Sequence, residues 1–183
     1  MTEEEIISGC RQGRAKHQRE LVLRYSPVLM TVARRYAPDE ATAKDILQDA
    51  LIRVFRYFDT FESGAGAFEG WLRRIVVTTA LKRMDRAAFR NEQAAFEDLP
   101  DRGAEPEVYA RLGAEALMAL IRRLPEGYRQ IFNLAVVEGY RHEEIGEMLG
   151  ISAATSRSQL ARARQRLQEM IVKQETMNHH VAR

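Results

Sequence analysis

Two sets of side chains in this sequence have the types and spacing to act on a nucleic acid. The first lies in SAATSRSQLARARQRLQ, Ser152 to Gln168, which carries Arg157, Arg162, Arg164 and Arg166 and no acid. Ser156, Leu160, Ala163, Leu167 and Met170 recur there at steps of four and three, so one helical face turns inward and leaves Arg157, Ser158, Ala161, Arg162 and Gln165 on the other. An arginine near a helix N-terminus can reach the paired acceptors on a guanine edge, while a serine and a flat alanine allow close approach and contact with a thymine methyl. Arg162, Arg164 and Arg166 then fall nearer the phosphates. The second set lies in FEGWLRRIVVTTALKRMDR, where Arg74, Thr78, Lys82 and Arg86 recur every four residues and put three cations and a hydroxyl on one stripe. Phe58, Phe61, Phe68 and Trp71 are close in sequence and could stack on unpaired bases, with Gly64-Ala65-Gly66 able to close around an extruded one. Each set has an ordinary reading beside it. Arginine-rich solvated faces are common, and aromatic residues at helical spacing usually pack.

The elements that must position these groups are helical. Period-two alternation does not persist anywhere, whereas apolar residues recur at three- and four-residue spacing through most of the chain, which predicts an all-α fold. Thr2 with Glu5 forms a capping box for a first short helix, which Gly9 and Gly13 are expected to interrupt. A longer helix follows with Leu21, Tyr25, Leu29, Val32 and Tyr36 on one face, closing near Pro38, and Pro27 inside it predicts a kink or a break. Asp39 or Thr42 caps the next helix, with Ile46, Ala50, Leu51, Val54, Phe55 and Phe58 on one side and Lys44, Asp45, Gln48, Asp49 and Arg56 left for solvent or a partner.

From Glu92 to Glu107 six acids face only Arg102, with Pro100, Gly103 and Pro106 among them, which reads as an acidic flexible linker. The expected organisation is therefore two small helical domains, 1–91 and 109–174, joined by 92–108 and followed by an irregular tail, 175–183, that contains His179 and His180. In the second domain Leu117, Leu120, Ile121 and Leu124 mark one helix, and Pro125 starts another through Ile131, Leu134 and Val137 that Gly139 ends. His142 to Leu149 is a short helix, Gly150-Ile151-Ser152 a tight turn, and Ser152 the cap of the arginine-bearing helix: a helix-turn-helix. Glu143, Glu144 and Glu147 confine positive charge to its second helix.

Composition narrows the function classes. The 183 residues, 45% apolar and 30% charged, carry a net charge of only +2, so distribution rather than total charge has to argue for nucleic acid. No apolar run approaches a membrane span, and the acidic start MTEEEII is unlike a secretory signal, so a cytoplasmic protein without membrane insertion is expected. Cys10 is alone and makes with His17 at best half a metal site. A phosphate-cradling glycine loop, metal-ligand spacing and a nucleophile–base grouping are all missing, so neither enzymatic activity nor a cofactor is expected.

Taken together, LPEGYRQIFNLAVVEGYRHEEIGEMLGISAATSRSQLARARQRL and AKDILQDALIRVFRYFDTFESGAGAFEGWLRRIVVTTALKRM resemble the two domains of bacterial RNA polymerase sigma factors of the extracytoplasmic-function group. The resemblance implies that the partners are core RNA polymerase, at its largest-subunit clamp and flap region, and promoter DNA, with an inhibitory anti-sigma factor common in the family. By that similarity Asp45, Gln48 and Asp49 face the clamp; Phe61 to Gly70 form a loop that captures a flipped −10 base; and Thr78 and Lys82 lie on the helix beside it. Arg157, Ser158 and Ala161 match positions that meet −35 base edges, and Arg162 a phosphate contact. Thr78 and Lys82 stand where many members have Asn and Asp, and Ala154-Thr155-Ser156 where Gly-Thr-Val is common. A serine in the packed stripe should cost stability unless its hydroxyl bonds back to a helix carbonyl. The competing reading is a stand-alone helix-turn-helix regulator with an N-terminal dimerisation or sensing unit. Such a protein would bind a duplex palindrome unaided and would have no need of the Arg74 stripe.

Overall fold

A computed structural model of the chain describes residues 1–62, 67–83 and 114–181, the last seven of these and Ala114 as backbone only. The expected linker, Gly64-Ala65-Gly66 and Arg86 lie outside the described residues. The described elements are all helical, and the chain divides into two compact units, Met1–Met84 and Asp85–Arg183.

In the first unit, α1 (Glu3–Arg11) begins with the expected capping box: the Glu5 amide donates to Thr2 Oγ1 at 3.2 Å and the Thr2 amide to Glu5 Oε2 at 2.8 Å. Gly9 does not interrupt it. Gly9 sits buried within the helix against the ring of His17, and the reversal falls at Gly13, whose φ of +66° suits a residue without Cβ. α2 (Ala15–Tyr36) runs unbroken through Pro27. Pro27 and Leu23 lie on the solvent side, so the carbonyl that proline leaves without an amide partner remains open to water. Leu21, Tyr25, Leu29, Val32 and Tyr36 are buried, as the periodicity predicts. Asp39 caps α3 (Glu40–Arg56), accepting from the Thr42 amide at 2.7 Å, and that bond holds its carboxyl below the usual range. α2 packs against both α3 and α4 (Ala67–Arg83), and α1 lies on α2. Leu51 and Phe55, expected in the core, are only half-buried, while Ala43 and Leu47 take part in it.

In the second unit, α5 (Ala114–Arg122) leads to α6 (Glu126–Phe132), with Pro125 at the N-cap. α6 passes into a wider π-helical turn, Asn133–Val137, that the sequence pattern did not reveal, and Gly139, with φ of +76°, ends it. The helix-turn-helix comprises α7 (His142–Leu149), the reversal at Gly150 with φ of +70°, and α8 (Ala153–Val181). Ser152 caps α8 by accepting from the Thr155 amide at 2.9 Å. Because the backbone of α8 stays helical to Val181, the irregular tail expected from 175 onward is not observed. α8 packs on α5, α6 and α7 through Leu160, Ala163, Leu167 and Ile171, all buried.

Ser156 is fully buried in this stripe, as its register requires, yet its hydroxyl is satisfied from outside its own helix. His142 Nδ1 and Ser156 Oγ are hydrogen-bonded at 2.9 Å, joining the first residue of α7 to the first turn of α8. The bond that offsets the cost of this serine runs across the motif rather than back to a helix carbonyl. A buried hydroxyl stripped of its partner costs about 1–3 kcal/mol. His142→Ala should therefore destabilise the second unit by about that amount, and Ser156→Ala in the same chain should restore part of the loss, giving a coupling of about 0.5–1.5 kcal/mol. Urea unfolding followed by circular dichroism checks this, with fluorescence of the single tryptophan, Trp71, reporting the first unit separately. Strictly additive effects would show that the bond contributes nothing. In the first unit, burial pushes the Cys10 thiol up to about 11. Native protein at pH 8 should resist iodoacetamide and become fully alkylated only in denaturant, measured by intact mass.

Candidate nucleic-acid interface

The stripe on α4 survives in three dimensions. Arg74 and Lys82 are exposed, Thr78 is half-buried between them, and among the described residues neither cation has an acidic partner. Their neighbour Arg73 is held by Glu69 at 2.8 Å, one turn back. The hydroxyl of Thr78 donates into its own helix, with the Arg74 carbonyl at 2.9 Å and the Ile75 carbonyl at 3.1 Å. Its proton is therefore occupied, and what it can offer a base is an acceptor. Thr79 is buried, donates to the Ile75 carbonyl at 2.7 Å and belongs to the core.

The aromatic residues divide in a way the sequence did not separate. Phe58, Phe61 and Phe68 are 3%, 3% and 1% exposed, so their rings are packing groups and are not free to stack on a base in this arrangement. Phe68 is the hub: its ring centroid lies 5.1 Å from that of Phe61, 5.3 Å from Tyr25, 5.9 Å from Phe58 and 6.0 Å from Trp71. Trp71 is only half-buried and is the ring of this cluster with surface left to offer. Two contacts that sequence reasoning missed brace the cluster. Arg11 Nη2 donates to the Phe61 carbonyl at 2.6 Å, and Tyr25 Oη donates to Glu3 at 2.7 Å. Burial foremost, and then the Glu3 carboxylate, push the Tyr25 phenol up to about 12. Neither contact had a local signal, since each closes between residues at least twenty apart in the chain.

A second face of the same unit is acidic. Asp45 and Gln48 are exposed and Asp49 is half-buried on α3, with the two carboxylates one turn apart. Arg83, at the end of α4, lies against both. Beside Gln48 the surface opens into a groove lined by Met30, Leu47, Leu51, Ile52 and Phe55, with Lys44 at its edge. Ile52 is exposed there, part of an apolar surface edged by Lys44 and Gln48.

In the second unit, Arg157 and Ser158 are exposed and Ala161 and Arg162 half-buried on the outer side of α8. Arg157 Nη1 stands 3.6 Å from Glu143 on α7, an exposed ion pair of small energy that a better acceptor can replace. Ser158 Oγ donates to the Thr155 carbonyl at 3.0 Å. Arg166 is paired with Glu169 at 2.9 Å, whereas Arg162 has no acidic partner among the described residues. The structure thus brings Arg157, Ser158, Ala161 and Arg162 to one helix, and Arg74, Thr78, Lys82 and Trp71 to another, each within its own unit.

Comparison with known proteins accounts for both units. Residues 21–90 match the model of Sigma-70 region 2, and residues 114–167 that of Sigma-70 region 4. The extracytoplasmic-function (ECF) RNA polymerase sigma factor SigE of Mycolicibacterium smegmatis is 35% identical over 160 residues, covering 84% of this chain and 61% of that one. This chain therefore spans less than two thirds of that relative. RNA polymerase sigma factor NccH of Alcaligenes xylosoxydans xylosoxydans is 33% identical over 164 residues, covering 83% and 85% of the two chains. The ECF sigma-E factor of Escherichia coli K12 is 28% identical over 183 residues, covering 93% and 95%. In fold, the chain resembles the sigma factor RpoE solved with the anti-sigma factor NepR from Bartonella quintana, with a TM-score of 0.53 at 23% identity and coverage of 85% and 96%. No described helix is long and apolar enough to cross a membrane. With both region models in chain order over two helical units, and the relatives matching across most of its length, this chain belongs to the extracytoplasmic-function group of the sigma-70 family of RNA polymerase sigma factors.

Proposed function

We propose that this sigma factor binds core RNA polymerase through the acidic face of α3, reads an opened −10 element with α4 and reads a duplex −35 element with α8. The observation that carries this reading is the first unit's pair of unlike faces: an acidic surface beside an apolar groove on α3, and a cationic stripe around Thr78 on α4. A stand-alone regulator would have use for the helix-turn-helix only. Asp45, Gln48 and Asp49 would meet the clamp of the largest subunit, while the second unit engages the flap region.

On DNA, Arg74 and Lys82 supply phosphate contacts that position the strand, and Thr78 supplies an acceptor toward a base donor such as an adenine or cytosine amino group. Trp71 offers the accessible ring, with Phe61 and Phe68 shaping the wall behind it. At the −35 element Arg157 reads a guanine edge, Ser158 and Ala161 allow the close approach, and Arg162 meets a phosphate. An anti-sigma factor is a fitting third partner, since RpoE, which shares this fold, was solved with one.

Run-off transcription with and without bacterial core polymerase tests the central claim. Initiation and strand opening should require both proteins, and tight specific binding of the free chain to duplex DNA would decide for the stand-alone regulator instead. The faces separate by substitution. Arg157→Ala should cost about 1–3 kcal/mol of −35 recognition and leave core affinity intact. Asp49→Ala should weaken core binding by about 2 kcal/mol or more, as for a desolvated interfacial charge, and leave promoter preference unchanged. Equal losses of core binding from both substitutions would contradict this division.

A further inference from the structure

Arg83 closes α4 one residue after Lys82, yet its side chain is turned to α3 rather than to the stripe. Its Nε donates to Asp49 Oδ2 at 2.9 Å, Nη2 lies 2.8 Å from the same oxygen, and Nη1 reaches Asp45 Oδ2 at 3.4 Å. One guanidinium therefore serves both carboxylates of the face assigned to polymerase. Such a contact could be a brace between two helices, but the fold has little use for one. α3 and α4 already pack against each other, and both bury core residues, Ile46, Ala50 and Val54 from one and Val76 and Ala80 from the other, each at most 1% exposed. The ion pairs, in contrast, stand in solvent, with Arg83 39%, Asp45 62% and Asp49 41% exposed. Exposed pairs are weak and screened, so this one can exchange partners at little cost.

We propose that Arg83 is an exchangeable counterion. It occupies Asp45 and Asp49 in the free protein, and it is released to a nucleic-acid phosphate when basic groups of the polymerase take over those carboxylates. This rests on the reading of Asp45 and Asp49 as polymerase contacts. The geometry favours it because Arg83 stands at the end of the helix whose stripe ends in Lys82, so a freed guanidinium is adjacent to the strand that Arg74 and Lys82 would hold. One arginine then links the two faces. By thermodynamic reciprocity, core binding strengthens the grip on DNA by the same factor by which DNA strengthens the grip on core.

The test uses the full chain with bacterial core polymerase. Affinity for core is measured by fluorescence titration, and affinity of the holoenzyme for a fork with a single-stranded −10 segment is measured across a salt series. Arg83→Gln should bind core about two- to fivefold more tightly, within the range of an exposed pair. Its holoenzyme should hold the fork less tightly, with a salt slope smaller by about 0.7, the loss of one single-strand phosphate contact. Arg83→Lys, which keeps a charge but not the two-point hold, should also tighten core binding while retaining the slope. In an Asp49→Asn chain, the gain in core affinity from Arg83→Gln should be smaller, since only the Asp45 pair remains to be released. Core affinity unchanged or weakened by Arg83→Gln, or a fork slope unchanged by it, overturns the exchange and leaves Arg83 a brace. Failure of the parent chain to bind core would instead overturn the reading on which the proposal rests.

Discussion

The first unit depends on the packing of Phe68. Its ring is the point at which α2, the turn after α3, and α4 meet, through Tyr25, Phe58, Phe61 and Trp71. Aromatic rings in edge-to-face contact prefer defined orientations, so such a cluster fixes helix rotation as well as separation. The rotation of α4 matters most. If Phe68 and Leu72 point inward, then Arg74, Thr78 and Lys82 must point outward, and the polar stripe follows from the choice of core. α1 contributes from a distance: Arg11 holds the Phe61 carbonyl and so fixes the chain where it enters the segment preceding α4.

The second unit uses a polar constraint for the same purpose. Leu160, Ala163, Leu167 and Ile171 seat α8 on its neighbours, but an apolar stripe alone permits a helix to slide or roll by a fraction of a turn. The His142–Ser156 bond is directional and lies at the end of α8 from which Arg157 projects. A part-buried hydrogen bond beside Arg157 therefore fixes its register in a way that methyl packing does not.

How much of this was legible follows from the range of each interaction. Caps at Thr2, Asp39 and Ser152 and the reversal at Gly150 are decided within a few residues, and the sequence pattern located them, with Thr42 as the alternative to Asp39. Pro27 looked like a break because local rules cannot tell which side of a helix faces solvent, where the missing hydrogen bond is tolerated. Gly9 looked like a break because its reason for being glycine is the ring of His17, a tertiary contact. Among the candidate site residues, Arg157, Ser158, Arg74 and Lys82 could be placed because helical periodicity alone brings them to the surface. Phe61 and Phe68 could not be sorted from Trp71, since burial depends on partners in other helices. Arg11, Arg83 and His142 carried no signal at all, because their partners lie on other helices or across a turn.

The same distances show how a chain with 28 cations and 26 acids, on the proposed function, would serve two DNA sites without being a strong polycation. Several cations on α4 and α8 rest against an acid of the chain's own: Arg157 on Glu143, Arg166 on Glu169, Arg83 on Asp49. Each pair is exposed, so each is cheap to exchange for phosphate, but each exchange subtracts something from the gain on binding DNA. On that reading unaided affinity would stay low, because non-specific attraction scales with the number of phosphates neutralised. Recognition then has to come from joining two weak readers, and the gain from joining them depends on a scaffold that sets their separation. The polymerase is suited to that part. On the proposed function, the acids that answer Arg157, Arg166 and Arg83 bear on recognition alongside the arginines themselves.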